Sequence, residues 1–227
     1  MEILWRQRWP LVLLVSLQLL FVAFPELDLV VAGWFYNVDQ GFYLRYNPLV
    51  RLSYEVFADL HLFVLIGLLW SFIASRLWRP RTEVVLRRKL WFLFLVLALG
   101  PGLLVNGVFK AESGRARPQQ TVQFGGAEPF TPVFTPADNC PRNCSFVSGH
   151  ASMGFFFMAF AWLLRDRRWL VFGGALGALV GLGRMAQGAH FLSDVVFCFW
   201  IVYAVCVVLA VAVLEQRSIA GGSETLS

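Results

Sequence analysis

The sequence predicts an all-α, polytopic membrane protein with six transmembrane helices, and three observations carry that expectation. Of 227 residues, 58% are hydrophobic and only 15% are charged, against roughly 25% charged in a soluble domain. Apolar stretches fall at about 9–24, 57–75, 90–109, 147–164, 169–188 and 191–214, each near the ~20 residues that an α-helix needs to cross a bilayer. Lys and Arg collect in the short segments between them. A soluble globule of this size could not hide so much apolar surface, and disordered, collagen-like and disulfide-scaffold classes are excluded by the same composition. One domain is expected over 1–217, with the polar residues 218–227 a disordered cytoplasmic tail.

The first stretch follows Arg6 and Arg8 as a signal peptide would, but Pro25-Glu26-Leu27 replaces a small-residue cleavage site, so it reads as a retained anchor. The third carries Gly100-Pro101-Gly102 and Asn106, which a membrane helix tolerates when neighbours satisfy the freed backbone groups. The fifth places Gly173, Gly177 and Gly181 at four-residue spacing on one face, the pattern of close helix packing, within the chain in preference to a contact between two copies. Two longer loops remain, 25–56 and 110–146. A long loop in a compact protein is usually functional.

Counting cations by side fixes the orientation. With a cytoplasmic N-terminus, that side holds twelve: Arg6, Arg8, Arg76, Arg79, Arg81, Arg87, Arg88, Lys89, Arg165, Arg167, Arg168 and Arg217. The other side holds seven: Arg45, Arg51, Lys110, Arg115, Arg117, Arg142 and Arg184. Positive residues favour the cytoplasm, so both termini are expected there. The net charge of +5 is then orientation charge, and no nucleic acid is expected as a partner. Trp5, Trp9, Trp78, Trp91 and Trp169 flank the basic stretches as an interfacial belt.

Three polar clusters fall at the extracytoplasmic ends of the third to sixth helices: Lys110 with Arg117 and Pro118, then Ser148-Gly149-His150, then Arg184 with His190 and Asp194. Singly, each has an ordinary explanation: snorkelling cations, a helix cap, a structural histidine. Together, at one membrane surface, they make an anion site with acid–base capacity. Ser148 and Gly149 open a helix, whose N–H groups and dipole hold an anion. Lys110, Arg117 and Arg184 supply further positive charge, as a metal often does in phosphoryl transfer. No metal and no cofactor is therefore expected. His190 and Asp194, four apart, share a helix face, so Asp194 can accept from the imidazole Nδ1–H and free Nε2 to attack phosphorus. His150 is left to protonate the departing oxygen.

The arrangement resembles the type 2 phosphatidic acid phosphatase (PAP2) family, related to vanadium haloperoxidases. Its pattern is K-x6-RP, then PSGH, then SR-x5-H-x3-D. The first motif is complete in Lys110, Arg117 and Pro118; the second has Val147 for proline; the third has Gly183 for serine, which removes a hydroxyl donor. The resemblance implies His190 as nucleophile, Asp194 as its orienting partner, and His150 as general acid and later base. It also implies Lys110, Arg117, Ser148, Gly149 and Arg184 as the phosphate cradle. The strings around the last two motifs look most like the bacterial branch that includes lipid A phosphatases.

The expected function is an integral membrane hydrolase that removes phosphate from a membrane lipid, first of all lipid A, at the periplasmic face of a bacterial inner membrane. Undecaprenyl diphosphate and phosphatidylglycerophosphate are alternative substrates, a lipid phosphotransferase an alternative reaction, and a phosphorylated-lipid binder or transporter the non-enzymatic alternative. No obligatory protein partner is evident. Glu55, Asp59 and His61 read as residues at the water boundary, with contact to a substrate head group as the alternative, rather than metal ligands, since their spacing matches no helical ligand pair. Cys140 and Cys144 are disulfide candidates on the side where disulfides persist, whereas Cys198 and Cys206 read as small apolar packing residues.

Overall fold

The computed structural model describes residues 8–77, 84–216, 218 and 219, apart from the Arg76 side chain. Arg6, Arg79, Arg81, Arg217, Trp5, Trp78 and residues 220–227 of the expected tail lie outside the described residues. Seven principal helices follow in order: α1 (Arg8–Ala23), α2 (Glu26–Gly33), α3 (Pro48–Leu77), α4 (Val84–Glu112), α5 (Gly149–Leu164), α6 (Arg168–Ala186) and α7 (Leu192–Leu214).

Four of these, α3, α4, α6 and α7, are long and apolar enough to cross a membrane, and a fifth span is possible if α1 and α2 count together. The chain is a multi-pass membrane protein. The α1–α2 pair bends by 84° at Phe24-Pro25, where a proline cannot donate to the preceding turn. The segment read as a loop from 25 to 56 is thus largely structured: α2, then a two-stranded ribbon of β1 (Tyr36–Asn37) and β2 (Gly41–Phe42), then the start of α3 at Pro48. Residues 48–56 are helical although the apolar stretch begins only after them.

The third apolar stretch changes register along its length. From Ala98 to Phe109 it is a π-helix, which absorbs the donor missing at Pro101. Asn106 Nδ2 donates to the Pro101 carbonyl at 2.7 Å, so the polar side chain in this apolar stretch is held by the helix's own backbone. Helix α5 also has a mixed register, with a 3₁₀ turn at Phe156–Ala159.

The glycines of α6 pack within the chain. A Cβ on Gly177 would lie 2.1 Å from the Phe155 ring, one on Gly173 2.3 Å from the Met158 backbone, and one on Gly181 2.3 Å from Val195. Helices α5, α6 and α7 therefore approach more closely than side chains would allow. Phe92, Val96, Val105, Phe155, Phe156 and Val202 fill the centre, while α3 presents nearly all its surface outward. Cys198 and Cys206 are free and buried in α7. Alternating helix direction puts the end of α4, the start of α5, the end of α6 and the start of α7 at one end of the bundle.

Candidate active site

At that end, Lys110 closes α4 and Gly149 opens α5 against it. A Cβ on Gly149 would sit 3.4 Å from Lys110 Nζ and 2.6 Å from Asn106 Oδ1, so only glycine lets the helix start approach the ammonium. Ser148 caps α5, its Oγ accepting from Ala151 N at 3.4 Å. The first backbone donors of α5 therefore lie beside a fixed cation, which is an anion-holding arrangement.

Arg117 is aimed by its loop. Its guanidinium donates to the Asn143 carbonyl at 2.8 and 3.2 Å, and its own N–H to Gln120 Oε1 at 2.8 Å. Burial lowers its pKa from the ordinary value, with the charge of Asp194 opposing that shift. Arg184 is almost buried, its guanidinium 4.6 Å above the Tyr54 ring and hydrogen-bonded to Gln187 Oε1, while its Nε has no partner. His150 stacks on the same Tyr54 at 4.7 Å. Tyr54 thus sets the positions of both a cation and an imidazole. His150 also lies within electrostatic reach of Arg184, His190, Lys110 and Arg117. The structure brings all eight expected residues together at one end of the bundle.

His190 is fully buried. Its Nδ1 lies 2.7 Å from the Ser145 carbonyl, and Asp194 Oδ2 is 3.6 Å away. Sequence reasoning gave Asp194 alone the orienting role; the structure inserts a backbone carbonyl as the nearer acceptor. A carbonyl only accepts, so Nδ1 carries the proton and the Nε2 lone pair is free in the neutral ring. Nε2 is buried without a partner. Burial lowers the imidazole from 6.5 to about 4, with Asp194 partly opposing that effect, so the ring is neutral near pH 7.

Asp194 is held from several sides. Its Oδ2 accepts from Ser145 Oγ at 2.5 Å and Phe191 N at 2.8 Å, and its Oδ1 from Arg115 at 2.7 Å. Arg115 is 2% exposed and also donates to Asp28 Oδ2 at 2.8 Å, Ser193 Oγ at 2.9 Å and the Thr131 carbonyl at 2.9 Å. Asp28 in turn accepts from Ser193 N at 2.8 Å and Ser193 Oγ at 2.6 Å. This buried network ties α2 and the 110–146 loop to the start of α7.

Sequence reasoning missed Arg115, Asp28, Ser145 and Tyr54 as supports of the site. Asp28 carried a usable signal, an acid set in the apolar run Leu27-Asp28-Leu29-Val30, because such residues are costly there and mark function. Gly114 explains why Arg115 turns inward between Lys110 and Arg117. Its φ is +57°, and a Cβ there would lie 1.5 Å from the Ala137 carbonyl.

Glu55 pairs with Arg51 at 2.9 Å, and Asp59 and His61 are exposed on α3. Among the described residues no three His, Cys, Asp or Glu side chains are grouped to hold a metal. Cys140 and Cys144 are joined, with Cα atoms 5.5 Å apart. Beside His190, a Cβ on Gly188 would meet the Phe42 ring at 2.4 Å, and Phe42 packs with Tyr36 and Phe124 at 5.4 Å each. The 25–56 and 110–146 segments thus meet next to the buried imidazole.

The PAP2 superfamily model matches residues 89–218. A lipid A 4′-phosphatase of Francisella tularensis subsp. novicida (strain U112) is 39% identical over 196 residues, covering 81% of this chain and 88% of that protein. Lipid A 4′-phosphatases of Rhizobium leguminosarum and of Rhizobium etli are each 33% identical, covering 92% and 79% of this chain and 96% and 76% of their own lengths. No solved structure matches the chain. A family model over more than half the sequence and relatives aligned over most of it show that this membrane-spanning chain belongs to the PAP2 superfamily and is a phosphatase.

Proposed function

We propose that the chain hydrolyses the 4′-phosphomonoester of lipid A through a phosphohistidine on His190. The observation that carries this reading is the buried imidazole itself: Nδ1 is engaged by the Ser145 carbonyl at 2.7 Å and Nε2 is left without a partner. The relatives' names, which specify the 4′-phosphate of lipid A, support the substrate.

The phosphate lies among Lys110, Arg117, Arg184 and the start of α5, where Gly149 offers its N–H and the cap residue Ser148 has its own N–H on the Asp194 carbonyl at 3.4 Å. These donors neutralise the equatorial oxygens as the transition state forms. Nε2 of His190 attacks phosphorus, the bond from phosphorus to the lipid oxygen breaks, and His150, charged once the anionic phosphate sits beside it, gives its proton to that oxygen. Asp194 stabilises the resulting cationic phosphohistidine. Water, deprotonated by His150, then attacks phosphorus, releasing inorganic phosphate and restoring His190. The fixed cations supply the charge that a divalent ion would bring, so the reaction is metal-independent.

The same reading takes α1, α3, α4, α5, α6 and α7 as six spans of one domain over 1–217, followed by a cytoplasmic tail at 218–227. It places both termini in the cytoplasm and the site at the periplasmic face of a bacterial inner membrane. The excess of Lys and Arg on the N-terminal side supports that orientation. The test is purified protein in detergent assayed against lipid A, undecaprenyl diphosphate, phosphatidylglycerophosphate and phosphatidic acid. Phosphate released from lipid A in preference to the others sustains the reading; transfer of the phosphate to a second lipid instead of water identifies a phosphotransferase.

A further inference from the structure

A second cleft, of about 470 Å³, lies at the far ends of the same helices. Arg88 and Lys89 from the start of α4, Leu164 and Arg165 from the end of α5, and Leu214 and Gln216 from the end of α7 line it. Lys89 and Lys110 stand 21 positions apart on α4, a rise approaching ~30 Å once the tighter π-helical part is allowed for, close to the thickness of a bilayer's hydrocarbon core. The cleft therefore opens at the membrane surface opposite His190.

Its charge is unbalanced. Arg88 is neutralised by Glu215 at 2.8 Å, but Lys89 and Arg165 meet no carboxylate among the described residues. Within the same cleft Gln216 Oε1 is buried without a hydrogen-bond donor. Two spare cations, one spare acceptor and the apolar side chains of Val85, Leu163, Leu164 and Leu214 in the lining describe a ligand with an anionic group, a donor and acyl chains.

We propose that this cleft binds the head of an anionic phosphoglycerol lipid. Its phosphate sits between Lys89 and Arg165, a head-group hydroxyl donates to Gln216 Oε1, and an acyl chain follows Leu164 and Leu214. Basic clefts between membrane helices bind anionic lipid heads in this way. An ethanolamine head could also donate to Gln216, but it would set an ammonium among the three cations of the cleft.

The test is native mass spectrometry of the full-length protein in detergent with phosphatidylglycerol, phosphatidylethanolamine or free glycerol 3-phosphate. The wild type is expected to retain phosphatidylglycerol in preference to phosphatidylethanolamine. Lys89→Gln with Arg165→Gln is expected to weaken that retention about 10- to 30-fold with phosphatase activity unchanged. Arg167→Gln with Arg168→Gln, cations near the same surface but outside the cleft, is expected to leave retention intact. Equal retention of the two lipids, no loss in the first double variant, or the same loss in the second would overturn the proposal. Displacement of the lipid by equimolar glycerol 3-phosphate would overturn it too, by identifying a soluble-anion site.

Discussion

Arg115 and Asp194 meet at 2.7 Å, with Arg115 2% exposed and Asp194 wholly buried. The other end of the same guanidinium reaches Asp28 at 2.8 Å, so one cation separates two buried carboxylates. Such a group contributes less through net attraction than through what its removal leaves behind, which is an uncompensated buried charge costing about 3–5 kcal/mol. Arg115→Leu is therefore expected to lower both thermal stability and kcat. Arg115→Lys, which keeps the charge but loses the fork, is expected to recover most of the stability and little of the rate. The check is Tm by fluorescence-detected unfolding beside kcat. Equal recovery of the two by Lys would mean that Arg115 only holds the fold.

His190→Ala is expected to abolish turnover, because it removes the imidazole whose Nδ1 is fixed on the Ser145 carbonyl and whose Nε2 is left free to attack. His150→Ala is expected to keep some phosphoenzyme formation with good leaving groups, which need no proton. Asp194→Asn is expected to cost up to about 10⁴-fold in kcat, by analogy with hydrolytic triads. Acid-labile label retained on quenched protein checks each of these. Wild-type rates in His190→Ala would exclude the covalent route.

The His190 imidazole, lowered to about 4 by burial, makes a pH prediction. At pH 5.5 an ordinary imidazole of pKa about 6.5 is about nine-tenths protonated, whereas His190 is expected to remain almost wholly neutral. The unfolded chain takes the proton first as pH falls, so stability from this group is present above 6.5 and is lost towards 4. Histidine-labelled NMR, with His190→Gln to assign the signal, follows the ring directly. A midpoint near 6.5 would contradict the burial argument.

Chelators are expected to leave activity intact, since Lys110, Arg117 and Arg184 carry the charge. Vanadate, shaped like the transferring phosphoryl group, is expected to inhibit competitively. Loss of activity in chelator, restored by a single divalent metal, would draw Asp59 and His61 into the site.

The apolar stretches behind α4, α6 and α7 and the three motifs were legible because those stretches end close to where the helices do. His190 and Asp194 were legible because four residues is one helical turn. The rest depended on chain reversals that spacing cannot convey. Arg115 and Arg117 alternate in sequence, and the left-handed turn at Gly114 decides which one is buried. The Ser145 carbonyl reaches His190 from 45 residues away. Tyr54 was hidden because α3 begins nine residues before its apolar stretch, in a segment that reads as loop by composition. The glycine stripe of α6, by contrast, was readable as internal packing. Gly177→Leu is expected to prevent α5 and α6 from docking, with folded yield as the readout.

The most direct test of the central claim is the mass of lipid A extracted from a lipopolysaccharide-bearing host that expresses the chain. The account expects lipid A lighter by one phosphate, located at the 4′ position by fragmentation, with the full mass restored in a His190→Ala strain of equal protein level. Unchanged lipid A in the wild-type strain, together with phosphate release from undecaprenyl diphosphate by the purified protein, would contradict it.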